Sequence, residues 1–316
     1  MAENNISLAV VVVVGPLRKR GQRLLDGLCL QTAVESMEII VVDAPAYAGR
    51  KLQTRPGVRI VYLLRSETEP WPRARADAIR HTNAPIVAFI EDHCIPEPDW
   101  AETLIEAHKE PWAAVGYAFT NANPETYVGR ASFLVDYGPW AHPARRGPTR
   151  LLPSNNISYK RDLLISFGDE LDALLSSGVN LHEAFNRQGR TMFLESRARI
   201  AHENLTRLSD LVRANLAQGR LFASKRVHAQ SWGRLRRLVY GLAVPLGAPL
   251  IKTARLLRSI SHDGWLWPGF VGGLPVILLG YFGSAVGESL GYLFGIGDAE
   301  EDLNRYELVV ERIAKE

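Results

Sequence analysis

Two cysteines in 316 residues, Cys29 and Cys94, are too few for a disulfide framework. Their scarcity excludes the small cross-linked secreted scaffolds and points to a reducing compartment. An excess of one charge is lacking too. The formal net charge is +3, so composition makes no electrostatic case for a nucleic-acid partner, and none is expected. No internal repeat and no low-complexity segment occurs, which excludes a solenoid or a disordered chain. The apolar run at residues 8–14 is short, lacks a basic leader and follows Glu3. It reads as a first strand, not as a secretory core.

What is present is a regular alternation. Residues 8–14, 37–42, 58–63 and 86–90 are short apolar runs rich in β-branched side chains, as buried parallel strands are. Helical spacing at 18–31 and 73–81 lies between them, the second after a loop through Glu67, Glu69 and Pro70. The expected architecture is therefore α/β: a doubly wound, mostly parallel sheet with helices on both faces. Further helices are expected at 98–108, 160–167, 181–188 and 205–227, and strands at 113–118, 191–194 and 198–201. Residues 120–150, rich in Asn, Pro, Gly and aromatics, read as a long connection over the active face.

The strand at 86–90 runs into Glu91, Asp92 and His93. Ligands of open α/β sheets gather at the carboxyl ends of strands. Three oxygen or nitrogen donors in a row there suit a divalent cation carrying a phosphorylated substrate, or else form a solvated acidic turn. Pro96 and Pro98 stiffen the exit. Asp43 ends the second strand in the same zone.

These motifs, in this order, resemble those of the inverting, nucleotide-sugar-dependent glycosyltransferases of family 2, which have the GT-A fold. The resemblance covers residues 6–230. Phe89, Ile90, Glu91, Asp92 and His93 fall on the family's Phe-Leu-Asp-Asp-Asp metal motif, followed by matching Pro96, Pro98, Asp99 and Trp100. Asp43 falls on an aspartate that contacts the nucleotide base. Arg75 opens a segment similar to Arg-Asn-x-Gly-Ile. The run from Ser154 through Asn155 and Asn156 to Arg161 resembles the acceptor-side Gly-x-Asn-x-x-x-Arg-Arg segment. Arg199, Ile200, Ala201 and His202 resemble a late Val-x-His element near the diphosphate.

The resemblance implies a nucleotide-sugar donor, a glycan or lipid-linked acceptor, and roles for named residues. Asp92, His93 and His202 would hold a divalent metal. Asp43, Arg75, Glu91, Asp92 and Arg220 would hold the donor, although Arg220 reads first as part of a solvated helix face. Asn155, Asn156 and Trp100 would face the acceptor. Two departures stand out. His93 replaces an aspartate, and imidazole suits Mn²⁺ rather than Mg²⁺. The catalytic base of the family falls on Ser177 and Gly178, which carry no carboxylate; Glu183 and Asp172 are the nearby candidates for the base. The alternatives are an inactive relative that binds a nucleotide sugar or glycan, and a nucleotidyltransferase, for which the basic run at Arg18, Lys19 and Arg20 is the one cue.

Residues 264–287 hold 24 positions without a formal charge, long enough to span a bilayer. Pro268, Pro275 and seven glycines in that stretch argue against a straight helix. Residues 240–251 are apolar but short and are flanked by Arg234, Arg236, Arg237, Lys252, Arg255 and Arg258. The expected organisation is a catalytic domain at 1–230, an apolar, basic membrane-associated region at 231–297 and an acidic tail at 298–316. It would sit on the cytoplasmic face of a membrane through in-plane, re-entrant or single-span helices.

Overall fold

The computed structural model describes residues 6–66, 71–176, 178–260 and 264–312. The loop residues Glu67, Glu69 and Pro70, and Ser177, lie outside them. The chain divides into two compact units. The first comprises residues 1–120 and 142–201, the second 121–141 and 202–316.

The first unit is built on a sheet. Its strands are β1 (Leu8–Val13), β2 (Met37–Asp43), β3 (Arg59–Leu64), β4 (Ile86–Phe89), β5 (Cys94–Pro96), β6 (Ala114–Asn121), β7 (Gly147–Thr149), β8 (Ile157–Lys160) and β9 (Met192–His202). The path across the sheet is β3-β2-β1-β4-β8-β6-β9-β5, with β7 paired to β9. The first four strands are parallel and in register, Leu8 opposite both Met37 and Ile86. β8 then runs antiparallel to β4. Every residue of β1 and β2 is buried, as expected for central strands covered on both faces. Each fully buried Val or Leu there contributes about 1.5–3 kcal/mol.

Helices α1 (Arg18–Leu28), α2 (Trp71–His81), α3 (Trp100–Ala107), α5 (Arg161–Ile165), α6 (Leu171–Leu175) and α7 (Gly178–Arg187) belong to this unit. This mostly parallel α/β sheet with helices is the GT-A-type architecture expected. Residues 191–194 and 198–201 prove to be one 11-residue strand, β9, not two pieces. The alternation of buried and half-buried positions at its end obscured it in the sequence.

The second unit is helical: α4 (Tyr127–Tyr137), α8 (Leu208–Ala229), α9 (Arg234–Ile260), α10 (Trp267–Phe294) and α11 (Ala299–Leu308). Residues 127–137 were expected within a long connection. They form α4, capped by the Thr126 hydroxyl, which accepts the Gly129 N–H at 3.0 Å. The prolines and glycines do not break α9 and α10, contrary to expectation. Pro245 lacks the N–H that would serve the Gly241 carbonyl four residues back, and the Ser289 hydroxyl of α10 donates to that carbonyl at 2.5 Å instead. The glycines are seats for a neighbouring backbone. A Cβ on Gly283, Gly287 or Gly291 would come within 2.7, 2.0 and 2.4 Å of the carbonyl oxygens of Val212, Leu216 and Arg220 on α8. Two i, i+4 rows thus meet backbone to backbone. α10 is long and apolar enough to cross a membrane, yet half of its apolar window is buried inside the protein.

Candidate active site

β4 delivers Glu91, Asp92 and His93 at its carboxyl end, where the backbone leaves the sheet. Asp92 and His93 are buried and Glu91 is partly so. Asp92 Oδ1 is 2.7 Å from Arg20 Nη2, with both side chains at most 2% exposed. Asp92 Oδ2 accepts the Gly15 N–H at 3.5 Å. His93 sits between the two carboxylates, its Nδ1 3.3 Å from Asp92 Oδ1 and its Nε2 3.6 Å from Glu91 Oε2. Glu91 in turn is gripped by the turn before β8: Asn155 Nδ2 donates to Oε1 at 2.8 Å and Asn156 Nδ2 to Oε2 at 2.5 Å. A carboxylate and an imidazole two residues apart can serve as oxygen and nitrogen ligands to one cation.

Asp43 closes β2, two strands from β4 in the same parallel block. It is 1% exposed. Arg18 donates to both of its oxygens, at 3.0 and 2.8 Å, and the Ala44 N–H to Oδ1 at 2.9 Å. Both strand-end aspartates therefore have an arginine from the start of α1. Sequence reasoning missed Arg18 and Arg20 as their partners. The cue was the basic run directly after the first strand.

The remaining candidates fall in several places. Arg75 on α2 lies near the β4 end: its guanidinium stacks on the Phe89 ring at 4.7 Å and donates to the Asn155 carbonyl at 3.1 Å. Trp100 is fully buried, edge-on to Tyr117 at 5.4 Å, and offers no face to an acceptor. It is core, because the apolar side of α3 packs on the sheet. Glu183 is on the exposed side of α7, whose neighbours Leu181, His182 and Phe185 face inward. Asp172 on α6 is ion-paired with Arg80 at 2.8 Å. Arg220 on α8 donates from Nε to the Gly295 carbonyl at 2.9 Å, satisfying the carboxyl end of α10. The structure thus gives Arg220 a helix-capping task.

His202 is the last residue of β9 and is buried. Its ring packs at a tilt against Tyr137, centroids 4.4 Å apart, and its Nδ1 is 2.8 Å from Asn204 Oδ1. An acceptor at Nδ1 calls for the Nδ1–H tautomer. Asn204 is itself held by Asn121 and Asn123. The sequence cue for Asn204 was its place two residues after the histidine.

The packing beneath the strand ends is dry. Burial pushes His108 down to about 3, helped by the nearby Lys160, and His182 down to about 4. Burial likewise raises the Tyr117 phenol, which donates to the Phe89 carbonyl at the end of β4.

Part of the chain matches a known family. Residues 19–164 match the model of glycosyl transferase family 2. The chain carries a family 2 glycosyltransferase domain. The match spans α1 through β8, so it contains Asp43, Arg75, the Glu91–His93 segment and both asparagines. No curated protein matches the chain. Among solved structures, the mannosyltransferase PcManGT from Pyrobaculum calidifontis, in complex with GDP-Man and Mn²⁺, shares the fold. It aligns with a TM-score of 0.55 at 17% identity over 90% of this chain and 87% of its own. This protein is thus a glycosyltransferase of the GT-A fold, which removes the nucleotidyltransferase alternative.

Proposed function

We propose that this glycosyltransferase moves a sugar from a nucleotide-sugar donor to an acceptor hydroxyl with inversion, for a cell-surface polysaccharide or glycolipid. One observation carries the reading. Asp43 and the Glu91–Asp92–His93 run stand at the carboxyl ends of parallel strands inside the family 2 domain. In this reading Asp43 recognises the nucleoside and Arg75 supports the donor side. Glu91 and His93, two residues apart at the end of β4, each offer one ligand atom to a divalent cation, and Asp92 holds the other side of the His93 ring. A carboxylate with an imidazole fits Mn²⁺ better than Mg²⁺, which prefers oxygen alone. The Mn²⁺ in the Pyrobaculum complex supports that choice. A cation bound there would neutralise the departing diphosphate.

The reaction itself is a single displacement. The acceptor oxygen bonds to the anomeric carbon as the bond from that carbon to the diphosphate oxygen breaks. The hydroxyl proton passes to a carboxylate, assigned here to Glu183, with Asp172 as the alternative. Glu183 is preferred because Asp172 is already paired with Arg80.

The second unit is proposed to seat the enzyme on the cytoplasmic face of a membrane, next to a lipid-linked or exported acceptor. On α9, Leu235, Leu242, Leu246 and Leu250 are 76%, 63%, 80% and 68% exposed. They form one helical stripe with Leu238 and Val239. α9 has six basic residues and no acidic one, which suits an anionic leaflet. The covered side of α10 packs on α8, a helix bearing Asp210, Arg213, Lys225 and Arg226. A spanning α10 would draw these charges into lipid, so an in-plane seat is favoured.

The deciding experiment is a thermal-shift panel of nucleoside diphosphates and their sugars, with and without Mn²⁺, followed by donor hydrolysis. Mn²⁺-dependent stabilisation with turnover supports the assignment. Binding without turnover would leave a donor-binding relative, and no binding by any nucleotide would overturn the reading.

A further inference from the structure

Asn155 and Asn156 resemble an acceptor-side segment, but their amides are turned the other way. Asn156 is fully buried. Its Nδ2 donates to Glu91 Oε2 at 2.5 Å, while its Oδ1 accepts the Glu91 backbone N–H at 2.9 Å and lies 3.5 Å from Cys94 Sγ. Asn155 Nδ2 donates to the other Glu91 oxygen at 2.8 Å. Its carbonyl is held in turn by Arg75. Two consecutive amides thus grip both oxygens of one carboxylate, and a third bond fixes its backbone nitrogen.

We propose that Asn155 and Asn156 are positioning residues that aim the Glu91 carboxylate at a divalent cation. The inference rests on the cation reading given above. A carboxylate oxygen can accept more than one bond, so an amide donor and a cation can share the same oxygen. The gripped Oε2 is also the oxygen 3.6 Å from His93 Nε2, so the oriented carboxylate and the imidazole are neighbours. The clamp further answers a departure in the sequence. The family motif has aspartate where this chain has Glu91, and glutamate adds a methylene with one more torsion to order. Two amide donors remove that freedom before any ion arrives. Asn156, with no exposed surface, cannot meet an acceptor sugar.

The competing view is a purely structural latch between the turn before β8 and the end of β4. The two differ in what they do to metal affinity. Mn²⁺ binding to the full chain, read from the loss of the free-ion paramagnetic resonance signal, is measured alongside the melting temperature. Asn155→Ala, at a half-buried site, should weaken Mn²⁺ binding by about ten- to a hundredfold, the usual effect of losing a group that orients a ligand. Asn156→Ala should do the same. If it does not fold, Asn155→Ala decides alone. In a Glu91→Gln background, Asn155→Ala should add no further loss, since no carboxylate remains to be aimed. Wild-type Mn²⁺ affinity in Asn155→Ala, or a full additive loss in the double variant, overturns the proposal. A wild-type chain that binds no Mn²⁺ overturns the cation reading and this inference with it, a result distinct from normal binding that ignores the asparagines.

Discussion

The two units use the same residue types for opposite ends. In the sheet unit, function is written on polar groups that stand where apolar strands stop: Asp43 after β2, and Glu91, Asp92 and His93 after β4. Each is held by a named partner, so the strand ends are rigid and charged. In the helical unit, glycine and serine let helices touch backbone to backbone, and the apolar side chains of α9 are left outward. The lesson is that burial of charge defines one unit and exposure of apolar surface the other. Substitutions should separate them by size of effect.

The largest expected effect is at the strand end. Asp92→Ala leaves the Arg20 guanidinium buried without its carboxylate, which should cost about 3–5 kcal/mol of stability. Urea denaturation measures it, and a loss below 1 kcal/mol would mean water reaches Arg20. This differs from the expectation for an isolated ligand, whose removal spares the fold.

In the helical unit, Gly287→Leu forces a side chain to within contact of the Leu216 carbonyl, which a Cβ alone would approach to 2.0 Å. Overpacking of this kind costs about 1–3 kcal/mol. A melting temperature equal to wild type would show that α8 and α10 can slide apart freely.

Asp43→Ala should weaken nucleotide binding by about 1.5–3 kcal/mol, the value of a charge-assisted hydrogen bond. Calorimetry with a nucleoside diphosphate checks this. Undiminished affinity would assign Asp43 to Arg18 alone.

Acid should act on the dry layer under the sheet. His108 and His182 titrate near 3 and 4 in the fold, against about 6.5 when unfolded. Between those values the unfolded chain binds more protons. Stability therefore falls as pH drops below about 6.5, by roughly 1.4 kcal/mol per pH unit for each histidine, and levels off only below about 3. His108→Gln should flatten the curve measured between pH 7 and 5.

The smallest effect on stability belongs to the exposed stripe. Leu246→Glu should change it by no more than about 0.5 kcal/mol. The same variant should lose flotation with anionic vesicles that the wild type shows. Equal flotation of both would count against α9 as the lipid face.

The parallel core was legible because β1, β2 and β4 are continuous apolar runs, a pattern that burial on both faces produces. The metal-motif run was legible because it ends such a strand. Arg18 and Arg20 were not recognised as partners of Asp43 and Asp92, since a basic run near a helix start looks like any solvated helix. Trp100 misled for a related reason: an aromatic beside a ligand motif resembles a sugar shelf until the packing of α3 shows it buried.

The sequence alone determined the α/β class, the strand-end carboxylates and the apolar carboxyl-terminal third, because periodicity and local polarity are properties of neighbouring residues. It misjudged the prolines and glycines of α9 and α10. Whether a missing N–H breaks a helix depends on who serves the freed carbonyl, and Ser289 stands 48 residues from Gly241. Whether Asn155 faces an acceptor or a carboxylate depended on β8 pairing with β4. Those outcomes rest on contacts between distant segments, which only the tertiary structure brings together.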